Sequence, residues 1–95
     1  MKPSQVLQSR KTEILQVISR YNVANPRVFG SVLHGTDKDG SDLDILVDAG
    51  PGMGLAFFKL EGELENLLGL KVDLVTPGFL HKLIRDEVLA EAKPL

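Results

Sequence analysis

The chain has 95 residues, enough for one domain with a modest core and no second lobe, so extra surface for a bulky acceptor such as tRNA is not expected. Eleven Lys and Arg stand against 13 Asp and Glu, a formal charge of −2, and this argues against nucleic acid as the main partner because neutralising phosphates takes a basic excess. With no cysteine, disulfides and thiolate metal sites are excluded; with no long apolar run and a polar start, Met-Lys-Pro-Ser-Gln, the chain is expected to be cytoplasmic and away from membranes.

From Ser4 to Tyr21 the apolar residues Leu7, Ile14, Leu15, Ile18 and Tyr21 recur at helical spacing, with Ser4 as N-cap. Arg10, Lys11 and Arg20 fall on its polar positions and are expected to be solvated. Asn25-Pro26 marks a turn, since the residue before a proline is pushed out of helical geometry. Arg27 to Phe29 reads as a short strand that breaks at Gly30-Ser31, and Val32 to Gly35 as a helical turn behind it. Such a bend exposes backbone N–H groups that suit phosphate oxygens. Gly30 leaves room for close approach, and the Ser31 hydroxyl adds a donor. His34 reads as a surface residue. Thr36 to Ser41 is a polar turn whose Asp37 and Asp39 look like the start of a calcium loop. That reading fails, because the sixth position is Asp42 instead of Gly and the twelfth is Asp48 instead of Glu.

The next run, Asp42 to Val47, has the aliphatic and β-branched content of a buried strand but carries Asp42 and Asp44 on one face. Leu43, Ile45 and Val47 point the other way. Two ionised carboxylates about 4 Å apart repel by on the order of 4 kcal/mol at an effective dielectric near 20. A raised pKa or a divalent cation offsets that, and oxygen-only donors favour Mg²⁺ or Mn²⁺ over zinc. Asp48 shares the parity but lies about 13 Å beyond Asp44, too far for the same ion.

Ala49 to Gly54 is a glycine-rich connection without a Walker-type phosphate loop. Phe57, Leu60, Leu64, Leu67 and Leu68 then define a helix stopped by Gly69, with Glu61, Glu63 and Glu65 on what reads as its solvated face. Leu70 to Val75 is a third strand interrupted by Asp73, a placement that costs stability unless the group is ligated or exposed. Thr76 and Pro77 look like the cap and first residue of a last helix, with Leu80, Leu83, Ile84, Val88 and Ala92 as its buried stripe and Arg85 solvated beside it.

Gly30-Ser31, ten residues, then Asp42-Leu43-Asp44 resembles the signature of the DNA polymerase β-like nucleotidyltransferase superfamily. Together with Val28-Phe29, Leu68-Gly69, Lys71 to Thr76, Ile84 to Asp86 and Glu91-Ala92, the likeness runs over nearly the whole chain to minimal nucleotidyltransferases of the antitoxin type. The resemblance implies an α/β (α+β) fold: a small mixed β-sheet with helices packed on one face. It implies that Gly30 and Ser31 hold a triphosphate, that Asp42, Asp44 and Asp73 carry catalysis and hold two Mg²⁺ (or Mn²⁺), and that Asp42 and Asp44 also meet the nucleotide. It further implies AMP transfer from ATP to a hydroxyl, that of a tyrosine, on a HEPN-domain toxin. His34 stands where that family often has Arg, which removes one fixed positive charge near the phosphates. Two other outcomes stay open: a catalytically inactive antitoxin that acts by occlusion, and transfer to a small molecule such as an aminoglycoside, for which no pocket-forming second domain is expected.

Overall fold

The computed structural model describes residues 1–95. In chain order it contains helix α1 (Pro3–Ser19), strand β1 (Val23–Phe29), the short helix α2 (Gly30–His34), β2 (Leu43–Ala49), α3 (Ala56–Leu68), β3 (Val72–Val75), a 3-10 turn (Pro77–Phe79), α4 (Lys82–Glu91) and β4 (Lys93–Pro94). The strands form one sheet in the order β3-β2-β1-β4, with β2 parallel to β3 and β1 antiparallel to both β2 and β4. The sheet is mixed, as the sequence led us to expect.

Strand alternation decides which side is dry. Val28, Leu43, Ile45, Val47, Val72 and Leu74 face one way and join Val6, Ile14, Val17 and Ile18 of α1 with Phe57, Leu60, Leu64 and Leu68 of α3 in a single core. The two long helices therefore cover one face. The other face keeps the polar residues of β2 and β3, although Leu46 is fully buried there where the 3-10 turn approaches β2.

Several local expectations shift. Lys2, not Ser4, stands at the N-cap position of α1 and makes no side-chain cap there; the Ser4 N–H is satisfied instead by Asp37 Oδ2 at 2.8 Å, from a loop 33 residues away. Asp37 is only 6% exposed, and that backbone hydrogen bond is the largest cause holding its carboxyl below the usual range. Arg10 is not merely solvated: its guanidinium bonds Glu13 and the Leu67 carbonyl, at a point where α1 departs from helical geometry. β1 is longer than expected because its register shifts between Ala24 and Arg27, where Asn25 takes a positive φ of 54° and Pro26 offers no N–H.

The last helix differs most. Thr76-Pro77 opens only the 3-10 turn, Leu80 is extended, and His81 Nδ1 accepts the Leu83 N–H to start α4 afresh. That extended residue resets the helical phase. Of the expected stripe only Leu80 is buried, while Leu83 (84%) and Ile84 (46%) are exposed.

The Asp37 contact yields a stability prediction. A carboxyl whose folded pKa is depressed contributes fully above its ordinary value of about 3.9 and loses that contribution as pH falls through the lower folded value. Asp37→Asn should melt below wild type at pH 7, with the gap closing as pH drops under about 4. Superimposable melting curves at pH 7 would contradict a capping role.

Candidate active site

β2 sets the frame. Asp42 stands one residue ahead of the strand and Asp44 is its second residue, so both share a parity opposite to the buried Leu43 and Ile45. In the parallel ladder Asp44 lies directly beside Asp73, and in the antiparallel ladder beside Phe29, the last residue before the Gly30-Ser31 bend. Adjacent strands are about 4.8 Å apart. The fold thus draws Asp44 and Asp73 together on the face away from the helices.

Gly30 meets Asp44 from the other side. It holds φ +71°, and a Cβ built there would stand 2.1 Å from Asp44 Oδ2. Only glycine fits both the backbone angle and the carboxylate. Ser31 follows in the first turn of α2, which closes on Gly35 in the left-handed region.

Charge is unbalanced at this point. Burial, followed by the charges of Asp73 and Asp42, pushes the Asp44 carboxyl from 3.8 up to about 6. No ion pair reaches Asp44 or Asp73, and Asp42 has only the exposed Lys71 Nζ at 3.9 Å, a pair worth little in solvent. The charge of such a cluster is one that a divalent cation would balance. Three carboxylates with no His or Cys suit Mg²⁺ or Mn²⁺, so the donor set and its charge fit the ion. The side chains themselves stay open: no group of three His, Cys, Asp or Glu is arranged to hold a metal ion.

The remaining acidic candidates are occupied elsewhere. Asp48 pairs with Arg27 at 2.7 Å and Asp39 with the N-terminal amine at 3.4 Å. His34 Nε2 lies 2.9 Å from Glu91, tying α2 to the end of α4. Arg85 is half-buried instead of solvated, with Nη2 donating to the Leu80 carbonyl at 3.1 Å and Nε buried without a partner.

Glu61 and Glu65 depart from expectation in a way that bears on the site. They are half-buried, and each accepts a backbone N–H of β3: Leu74 to Glu61 Oε2 at 2.9 Å and Val72 to Glu65 Oε2 at 3.0 Å. Their spacing of one helical turn was visible, but which strand edge they face was not. Glu63 instead accepts the Tyr21 hydroxyl at 2.8 Å.

With this geometry in place, three comparisons agree. The family model for the nucleotidyltransferase domain matches residues 11–95. Protein adenylyltransferase MntA of Thermococcus cleftensis is 43% identical over 88 residues, which span 90% of this chain and 85% of that one. A solved structure assigned as a minimal nucleotidyltransferase superposes with a TM-score of 0.84 at 39% identity, covering 97% of this chain and 95% of the other. A toxin–antitoxin structure with AMP-PNP gives 0.73 at 25% identity, covering 88% and 70%.

Proposed function

The chain belongs to the nucleotidyltransferase domain family, and from that premise we propose that it is an antitoxin that transfers AMP from ATP to a tyrosine hydroxyl of a HEPN-domain toxin. The observation that carries this reading is the placement of Asp44 directly beside Asp73 in the parallel ladder, two residues from Asp42 and against Gly30. A relative named as a protein adenylyltransferase and a toxin–antitoxin structure with an ATP analogue support it.

The chemistry follows from the arrangement. Gly30 and Ser31 hold the β- and γ-phosphates through backbone N–H groups and the Ser31 hydroxyl, which leaves the α-phosphorus facing Asp44. Asp42, Asp44 and Asp73 would hold Mg²⁺ or Mn²⁺, which supplies positive charge for the phosphate oxygens as they separate. The tyrosine oxygen attacks the α-phosphorus, the bridging bond to the β-phosphate breaks, and pyrophosphate leaves. Asp73, the exposed member of the set, takes the phenolic proton. The ordering of Gly30, Asp44 and Asp73 across three neighbouring elements orients the donor for in-line attack.

ATP labelled at the α-phosphate should label the purified toxin, and ATP labelled at the γ-phosphate should not. Label from the γ-position would sink nucleotidyl transfer. Occlusion without chemistry is the second reading, favoured by the open arrangement of the carboxylates. It predicts that Asp42→Ala and Asp44→Ala neutralise the toxin as well as wild type does.

A further inference from the structure

We propose that Glu61 and Glu65 are positioning residues that hold Asp73 in register beside Asp44, acting as a substitute strand along the open edge of β3. The proposal rests on the AMP-transfer reading above. β3 has four residues, lies at the edge of the sheet and has β2 as its only strand neighbour. In a parallel ladder alternate residues turn their N–H groups toward the neighbouring strand. The Leu43 N–H reaches the Lys71 carbonyl, so Lys71 and Asp73 face β2 while Val72 and Leu74 point their N–H groups outward. An open row of this kind is normally satisfied by water or by another chain.

Here it is satisfied by α3. Glu65 takes the Val72 N–H at 3.0 Å and Glu61 takes the Leu74 N–H at 2.9 Å, both well-formed N–H···O hydrogen bonds. The spacing matches for a simple reason: four helical residues advance about 6 Å, and two strand residues advance about 6.6 Å. With α3 running opposite to β3, the higher-numbered glutamate meets the lower-numbered amide. The side chains of Val72 and Leu74 meanwhile anchor in the core. Asp73 is therefore held between two clamped amides, its own side chain on the opposite face.

Register is what the clamp protects. A slip of one residue would turn Asp73 toward the core and Val72 or Leu74 toward the nucleotide. Neither glutamate is in the set of Asp42, Asp44 and Asp73, so they act on the reaction through Asp73 alone.

The test compares the double variants E61A/E65A and E61Q/E65Q, the second keeping a carbonyl acceptor of similar reach. In E61A/E65A the Val72 and Leu74 amides should exchange with solvent at least ~10-fold faster, and Mn²⁺ affinity, read by water-proton relaxation, should fall about 10-fold, in the range seen for outer partners of metal ligands. kcat for AMP transfer should drop by a similar factor with KM for ATP within about twofold. E61Q/E65Q should recover most of both. In an Asp73→Asn background, E61A/E65A should cost nothing further in kcat, which a general loss of stability would not reproduce. If the alanine pair fails to fold, E61A alone is read for the Leu74 amide and for kcat. Faster amide exchange with unchanged kcat and Mn²⁺ affinity would overturn the proposal, and so would an equal loss in the Asp73→Asn background. Wild type that binds Mn²⁺ yet transfers no AMP would end the function reading instead, and the clamp would then stand or fall on the Mn²⁺ affinities.

Discussion

Asp44→Asn should cut AMP transfer by about 10²–10³-fold or more, the scale of losing one element that stabilises developing negative charge, because Asp44 would help to hold the cation that balances the phosphate oxygens, while making the metal-free protein more stable at neutral pH. Both effects have one cause. The Asp44 carboxyl is raised from 3.8 to about 6 first by burial and then by Asp73 and Asp42. A carboxyl with a raised folded pKa carries no burden below its unfolded value and the full burden above its folded one. The melting temperatures of wild type and Asp44→Asn should therefore coincide below about pH 4, diverge as pH rises from there to about 6 and keep a constant gap above it, with the variant higher. The full conversion of the shift would be ~3 kcal/mol. Because Asp44 keeps part of its surface in solvent, screening reduces this to about 1 kcal/mol, a rise of roughly 4–8 °C for a domain of this size. Mg²⁺ should stabilise wild type by mass action and close the gap. A variant that melts lower than wild type at pH 7.5, in EDTA, would mean that Asp44 is held by a partner and not strained.

Gly30→Ala should damage the same site from its other wall. An alanine there must hold φ +71°, which costs about 1–2 kcal/mol. Its Cβ would also stand 2.1 Å from Asp44 Oδ2, so the carboxylate has to swing away. Together these should cost about 2–3 kcal/mol of stability, and AMP transfer should fall by at least ~10²-fold, since misplacement by 1 Å at a reacting centre has that effect. A double-mutant cycle separates the two terms. In an Asp44→Ala background the clash is gone, so Gly30→Ala should cost only its backbone strain. Equal destabilisation in both backgrounds would place the whole penalty in the backbone and deny the contact with Asp44.

What the sequence made legible divides along a physical line. The placement of Asp42 and Asp44 on one face of β2, and of Gly30 and Ser31 at a bend, was readable because strand parity and a glycine bend are local properties, fixed by neighbours in the chain. The core faces of β2 and α3 were readable for the same reason, through periods of 2 and 3.6. Asp37 was not, because the Ser4 N–H it caps lies 33 residues earlier and nothing near Asp37 announces that contact. Glu61 and Glu65 looked like any polar helix face until the parallel pairing of β3 put its free amides beside them. The stripe on the last helix misled because one extended residue, Leu80, shifted its phase, leaving Leu83 and Ile84 in solvent. β4 is two residues long and gives no periodic signal at all.

The central claim is that the carboxylates of β2 and β3 transfer a nucleotide to a partner protein. Intact mass of the HEPN-domain toxin, co-expressed with this chain, tests it most directly. Toxin produced with wild type should carry the mass of one or more added AMP groups, and toxin produced with the Asp42→Asn/Asp44→Asn variant should not. A toxin that is neutralised by wild type yet keeps its unmodified mass would contradict the account.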